Sequence, residues 1–453
     1  MKNTSESSSS RRDFLKHSTV AVVGGMLAGS IREMQAADAP VTTPKPREKY
    51  QIVNTSPLKV GLIGCGGRGS GAARQALMAD GNVQLTAIGD AFTDRAERGL
   101  NALRADKEIN PKISVKPENI FSGLDAYQKV IASGVDVVIL TTPPGFRPMH
   151  LKAAIEAGKH VFCEKPMATD APGVRSVMES AKLAKSKNLA LVAGFCYRYH
   201  PGVRAIMDQI HSGAIGEVRA IHTDYNTGLV GNAAKQQPGQ SDLQWQMRNW
   251  WHFPWLSGDH LMEQAIHSLD KMAWVMKDEP PVKCHAIGGR AVPQGSGIGN
   301  TFDHFGVVFE YASGVRGFHF CRQQANCFNQ NHDTILGAEG TAQIVRAFSG
   351  PFVVKGKTEW RFKDPNAKDM YQVEHDELFE SIRNGHPLND GDRMAKSTLL
   401  GLMARMAAYT GQEITWEQAL NSKESLLPLN LSFDPDLKIT VPPIAMPGRT
   451  KFS

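Results

Sequence analysis

The sequence predicts an α/β protein in two parts: an N-terminal, doubly wound parallel sheet, then an α+β domain with a large, mostly antiparallel open sheet. Three observations predict it. From 58 to about 190, short apolar runs alternate with helical stretches, a glycine-rich loop follows the first run, and beyond about Gly194 the chain turns to strands separated by tight turns. At 453 residues the chain is several times longer than one core requires, so two domains of about 150 residues each plus flanking segments are expected. An apolar fraction of 41% with well-mixed charge excludes wholesale disorder.

Residues 1–39 read as an address. Arg11-Arg12 precede an apolar pair, a short glycine-rich apolar run follows, and Ala37-Asp38-Ala39 offers small residues for cleavage. The pattern resembles a twin-arginine export signal, which implies a periplasmic or other extracytoplasmic location. The apolar run is shorter than the roughly 20 residues a membrane span needs, and no Cys stands near the cleavage region, so no stable membrane anchor is expected. Residues 40–57 read as an extended proline-rich arm.

The nucleotide-type domain is assigned to 58–190. Segments 58–63, 83–88 and 135–141 are nearly continuous apolar runs, as expected of parallel strands buried on both faces. Shorter strands at 160–163 and 190–193 alternate with helices at 149–157 and 174–186. The second domain is assigned to 191–425. Segments 218–224, 282–286, 305–311, 315–322 and 334–337 read as antiparallel strands, with Ala312-Ser313-Gly314 as a hairpin turn. Helices at 203–212, 261–276 and 384–410 accompany them, and 426–453 is a C-terminal tail.

Composition narrows the function. A net charge of +6 without a dense Lys/Arg run argues against nucleic acid as a partner. The cysteines (Cys65, Cys163, Cys196, Cys284, Cys321, Cys327) are scattered with no C-x-x-C pair, so neither a metal site nor a disulfide framework is expected.

The first strand runs into Gly64-Cys65-Gly66-Gly67-Arg68-Gly69, a G-x-G-x-x-G loop that precedes a helical segment. Gly64 suits the tight turn, Gly66 the close approach of backbone to a pyrophosphate, and Gly69 the packing of helix on strand. The helix N-terminus attracts phosphate charge. The second strand ends at Asp90, twenty-one residues past Gly69, where a carboxylate accepts hydrogen bonds from ribose hydroxyls and repels a 2′-phosphate. NAD is therefore favoured as cofactor, with NADP possible because Arg95 lies nearby. The expected domain is a Rossmann fold.

Further along, Thr141-Thr142-Pro143-Pro144 ends the third strand, His150 opens the next helix, and Glu164-Lys165-Pro166 follows the fourth. This order resembles the Gfo/Idh/MocA oxidoreductases, related to glucose–fructose oxidoreductase and inositol dehydrogenase, over about 58–420. The resemblance implies that Thr142 and Pro143 line the dinucleotide, that His150 supports their loop, and that Glu164 contacts the nicotinamide ribose. It places Lys165 in the cleft, hydrogen-bonded to the reacting hydroxyl. That role is chemically sound, since hydride leaves a carbinol carbon only as its O–H proton is taken. A second family mark matches 257–270, where His267 corresponds to the catalytic histidine and Asp270 to a trailing acid. Glu263 stands where the family has Asp. Four residues from His267, Glu263 is expected on the same helix face, paired with the imidazole and raising its pKa.

Two segments are candidates for the substrate side. Residues 244–255 hold four of the seven tryptophans just before the catalytic segment, with Arg248 and Trp251 as possible sugar contacts or parts of an apolar interface. Arg198 and Tyr199 occupy a position resembling the family's substrate-side segment. Asp303 and His304 read either as substrate ligands or as a satisfied pair. The leading expectation is a sugar, polyol or glycoside oxidoreductase with tightly held cofactor, assembled as a homo-oligomer. A redox-neutral glycoside cleavage through a keto sugar is the alternative, although the Tyr-Pro-Thr-His signature of that branch is absent. A non-catalytic sugar sensor is the third.

Overall fold

In the computed structural model, residues 52–230, 234–292, 298–346 and 349–452 are described. The expected export signal and residues 40–51 of the proline-rich arm lie outside them.

The first sheet contains β1 (Leu58–Ile63), β2 (Val83–Asp90), β3 (Ile120–Ser122), β4 (Val137–Leu140), β5 (His160–Cys163) and β6 (Leu191–Ala193). Its order is β3-β2-β1-β4-β5-β6, with every pair parallel. The chain winds outward from β1 through β3, then returns to place β4 beside β1. The winding reverses there, which opens a crevice at the carboxyl ends of β1 and β4. Val60, Leu62, Val137, Val138, Ile139 and Leu140 are buried on both faces, which explains why these strands read as unbroken apolar runs.

The second sheet contains β7 (Val218–Thr227), β8 (Lys283–Gly289), β9 (His304–Glu310), β10 (Arg316–Gln323), β11 (Gln330–Gly337), β12 (Thr341–Val345), β13 (Phe352–Lys355), β14 (Glu359–Arg361) and β15 (Ile414–Thr415). The order is β14-β13-β12-β11-β7-β10-β9-β8-β15. Its centre departs from the expected antiparallel pattern: β7 and β10 pair in parallel, Ala220 opposite Arg316 through Thr227 opposite Gln323. The long helical excursion after β7 gives the chain room for that crossover. Helices Ile266–Val275 and Gly391–Thr410 cover one face. Contact is close enough that a Cβ on Gly317 would lie 2.5 Å from the Met272 sulfur.

Two elements differ from expectation in ways that bear on the site. The single helix expected over 261–276 is two, His260–Glu263 and Ile266–Val275, interrupted at Gln264-Ala265. An unanticipated helix, Met370–Arg383, buries Leu378, Phe379 and Ile382 in the core of the nucleotide sheet. Arg383 fastens it there through Asp80, at 2.7 Å, and the Asn82 carbonyl, at 3.0 Å.

Candidate active site

A cleft of about 560 Å³ opens at the carboxyl ends of the parallel strands, and the glycine loop forms its floor. A Cβ on Gly69 would lie 1.9 Å from the Gly64 carbonyl oxygen, and one on Gly64, at φ +96°, would lie 2.8 Å from the Thr141 backbone. These two glycines let strand, loop and helix close on one another. Gly67 meets nothing within 4 Å and Gly66 only the Arg95 guanidinium at 3.9 Å, so their faces are open to the cleft. Helix Gly67–Ala79 begins there without a side-chain cap, and its first N–H groups are turned toward whatever occupies the cleft.

Asp90 stands at the end of β2 on the cleft wall. Its Oδ2 accepts the Cys65 N–H at 2.8 Å and its Oδ1 the Phe92 N–H at 3.0 Å, which fixes the carboxylate and leaves lone pairs toward the cleft. Burial raises its pKa, and the two N–H bonds oppose that rise. Nearby, the buried Arg95 Nε has no protein partner. Two open glycines, an uncapped helix terminus, an anchored acid and an arginine with an unsatisfied Nε together fit a dinucleotide. On the opposite wall Thr142 and Pro143 line the cleft, and Thr142 Oγ1 is hydrogen-bonded to His150 Nδ1 at 3.1 Å. His150 is stacked on Tyr127 at 4.1 Å, and burial, aided by Arg147, pushes its pKa down to about 3. It supports the loop as a neutral ring.

Arg68, expected on the cofactor, lines the cleft, but its guanidinium is already engaged. It is bonded to Glu164 and, at 2.8 Å, to the fully buried Glu374. Burial opposes ionisation of Glu164, yet Arg68, Lys165 and Arg147 together hold its carboxyl below the usual range. The second Glu164 oxygen accepts the Lys165 backbone N–H at 3.0 Å. Glu374 was not visible as a candidate because it lies on the unanticipated helix and belongs to no spaced motif.

Beyond Glu164 the side chain of Lys165 reaches the second domain. Its Nζ donates to the Glu263 carbonyl oxygen and to Oε1 at 3.2 Å. The two side chains are only 12% and 8% exposed, so a substrate hydroxyl meeting them is largely desolvated. Burial raises the Glu263 pKa and the Lys165 charge opposes it. Glu263 Oε2 is buried without a partner.

The expected Glu263–His267 pair does not form. The interruption at Gln264-Ala265 breaks the i, i+4 register, and Glu263 is taken by Lys165 instead. His267 is bounded by the edges of Tyr197, at 5.0 Å, and Phe195, at 6.4 Å, with its Nδ1 buried and unpartnered. Burial, then the charges of Lys165, Lys271 and Arg68, push its pKa well below that of a free imidazole, the reverse of the expected rise. A neutral imidazole is a proton acceptor.

The substrate-side residues are also placed differently. Arg198 is 2% exposed and bonds Asp270 through Nε, at 3.0 and 3.1 Å, and Asp278. Asp270 thereby serves the fold. Tyr199 is buried, its hydroxyl donating to Asp390 at 2.7 Å. Both lie in a short 3₁₀ helix, Cys196–Tyr199, whose residues are all buried, and neither lines the dinucleotide cleft. Arg248 pairs with Asp94 at 2.7 Å and Trp251 lines the dinucleotide cleft, so the tryptophan-rich segment belongs to the nucleotide side. Asp303 accepts from His304 at 2.6 Å and from two backbone N–H groups, a satisfied pair. Among the described residues no cluster has the makings of a metal site, and no helix is long and apolar enough to cross a membrane.

Fold and cleft define a dinucleotide-binding α/β protein with an ionisable Lys–Glu–His group next to the cleft. Comparison with known proteins narrows the class. Residues 58–195 match the oxidoreductase family with NAD-binding Rossmann fold, and residues 203–343 match the same family's C-terminal domain, so the chain belongs to the Gfo/Idh/MocA oxidoreductases. It is 29% identical over 222 residues to inositol 2-dehydrogenase of Pseudomonas fluorescens (strain SBW25), covering 49% of this chain and 55% of that one. The chain thus spans about half the length of the first curated relatives it matches. It is 28% identical over 305 residues to 2,7-anhydro-N-acetylneuraminate hydratase of Escherichia coli (strain K12), covering 67% and 72%. The aldose-aldose oxidoreductase of Caulobacter crescentus, solved with glycerol, shares the fold at a TM-score of 0.63 and 20% identity, covering 79% of this chain and 99% of that one.

Proposed function

We propose that the protein is an NAD(P)-dependent oxidoreductase acting on a hydroxyl-bearing carbon of a sugar, polyol or glycoside, with the dinucleotide held between the glycine loop and the Thr142–Pro143 loop. The observation that carries this reading is the position of Lys165. Its ammonium is held by Glu263, a single residue away from Glu164, which bonds the cleft-lining Arg68. Inositol 2-dehydrogenase as a relative supports the substrate class.

The bound nicotinamide supplies the two-electron oxidising or reducing equivalent. Lys165 donates a hydrogen bond to the reacting oxygen and stabilises negative charge as the O–H proton leaves. Glu263 fixes that ammonium from two oxygens, its carbonyl and Oε1, and so orients Lys165 toward the reacting hydroxyl. His267, neutral in its aromatic cage, takes the proton. Glu164 and Thr142, both anchored, hold the nicotinamide side in register, and the depth of the group excludes water. Asp90 binds the adenosine ribose, and Arg95 beside it accommodates NADP as well as NAD.

A second reading is redox-neutral: the substrate is oxidised, a bond is cleaved or hydrated at the activated carbon, and the product is reduced again. The relationship to the hydratase favours it. The twin-arginine pattern points the same way, because an exported enzyme has no soluble cofactor pool. We place the protein outside the cytoplasm on that sequence pattern, and infer a homo-oligomer from the apolar outer face of the second sheet, where Ile287 and Phe320 are exposed.

The test is to supply polyols, aldoses and glycosides to the purified protein, following the absorbance of reduced nicotinamide and the released products together. Reduced cofactor that persists until a second carbonyl compound is added supports the oxidoreductase. Transient reduction with cleaved or hydrated product supports the redox-neutral reading. No spectral change and no product with any polyol, aldose or glycoside refutes both.

A further inference from the structure

The tryptophan-rich segment and the C-terminal tail meet on the dinucleotide cleft, although neither belongs to the nucleotide lobe. Met247, Trp250 and Trp251 line the cleft together with Leu431 from the tail. Trp250 and Trp251 lie against each other at 4.6 Å. Phe433 stacks on Phe92 at 5.6 Å with an interplanar angle of 16°. Phe92 also lines the cleft, two residues past Asp90, so this contact lies at the end where Asp90 awaits a ribose.

The segments are fastened to each other and to the nucleotide lobe. Gln246 Nε2 donates to the Ile439 carbonyl at 2.9 Å, and the Ile439 N–H donates to Asp242 at 3.0 Å. At the other end of the span, the Leu426 N–H donates to Asp170 at 2.8 Å. The tail is therefore pinned at Leu426 and Ile439, with Leu431 and Phe433 carried between the pins. Arg248 completes the closure. Its guanidinium pairs with both oxygens of Asp94 and lies 4.1 Å from the centre of the Phe92 ring. The lining at this end is aromatic and aliphatic, of the kind that suits a purine.

We propose that Met247–Trp251 and the tail around Leu431 and Phe433 form a retaining wall of the dinucleotide site, clasping its adenosine end so that release requires the wall to part. The proposal rests on the dinucleotide reading above and extends it to residues that no G-x-G-x-x-G logic would include. An element that must move before the ligand escapes acts on the dissociation rate more than on encounter.

The test uses full-length protein purified with its dinucleotide, diluted into buffer containing a dinucleotide-scavenging enzyme, with release followed by fluorescence of the reduced form. L431A/F433A is expected to release about tenfold faster than the parent, the equivalent of ~1.4 kcal/mol. R248Q changes a half-exposed side chain without disturbing a core, and is expected to accelerate release by roughly threefold. Leu429, fully exposed between the pins, is the control, and L429A is expected to leave the rate unchanged. Unchanged release in both L431A/F433A and R248Q overturns the retaining wall while the dinucleotide reading stands. A parent protein that neither contains nor takes up NAD or NADP overturns that reading, and the wall with it.

Discussion

Arg198 separates a substrate role from a structural one. Its guanidinium makes three bonds to the Asp270 carboxylate, at 2.9, 3.0 and 3.1 Å, and two to Asp278. Arg198→Met removes the cation and leaves Asp270, 2% exposed, with Ser397 as its remaining side-chain partner at 2.7 Å. Asp278 is 28% exposed and rehydrates, so the cost falls on Asp270. An orphaned buried charge costs about 3–5 kcal/mol. In a protein of this size, with an unfolding entropy of roughly 0.9 kcal/mol/K, that lowers the melting temperature by roughly 3–6 °C. The double variant R198M/D270N removes both charges and recovers much of the loss, giving a coupling of about 1–3 kcal/mol in a double-mutant cycle. Calorimetry measures the stability, and steady-state kinetics at 20 °C the sugar KM. A melting temperature unchanged in R198M, with KM raised tenfold or more, refutes the structural assignment and restores Arg198 to the substrate.

Three further outcomes are expected. Gly69→Ala drives a Cβ to 1.9 Å from the Gly64 carbonyl, so the variant is expected to purify without dinucleotide, measured by absorbance after denaturation. Lys165→Met removes the donor to the reacting oxygen while leaving the glycine loop intact. Turnover is expected to fall by about 10²-fold or more with dinucleotide content unchanged. His150 and His267 are neutral in the fold, the former down to about 3, by burial first and neighbouring cations second. Their folded pKa values lie below the unfolded one, so the stability tied to neutrality is full above about pH 6.5 and is lost as pH falls below it. His150→Phe is expected to flatten the acid limb of a denaturation-midpoint-against-pH curve by up to ~1.4 kcal/mol per pH unit.

The nucleotide lobe was legible because its strands are buried on both faces, and because Gly64, Gly66, Gly69 and Asp90 each answer a local steric or charge demand. Glu164 and Lys165 were legible only through resemblance, since nothing in a Glu-Lys-Pro tripeptide reveals that the chain will fold Glu263 onto the ammonium. The helix break at Gln264 was hidden: 261–276 keeps helical spacing across it, and tertiary contact decides where the turn opens. Arg198 and Tyr199 were misplaced for a related reason. Polar residues beside a strand end look like ligands until their partners Asp270 and Asp390, 72 and 191 residues away, are brought to them. The strands β12, β13 and β14 and helix Met370–Arg383 lacked strong periodic or turn signals and became visible only as packing partners. The tryptophans showed that something apolar would be built, but not on which side of the molecule.

The most direct measurement is of the small molecules released when the purified protein is denatured. One equivalent of NAD(H) or NADP(H) per chain, or stoichiometric uptake when the stripped protein is incubated with either, is the predicted result. A protein from which none is released, and into which none can be loaded, contradicts the account at its foundation.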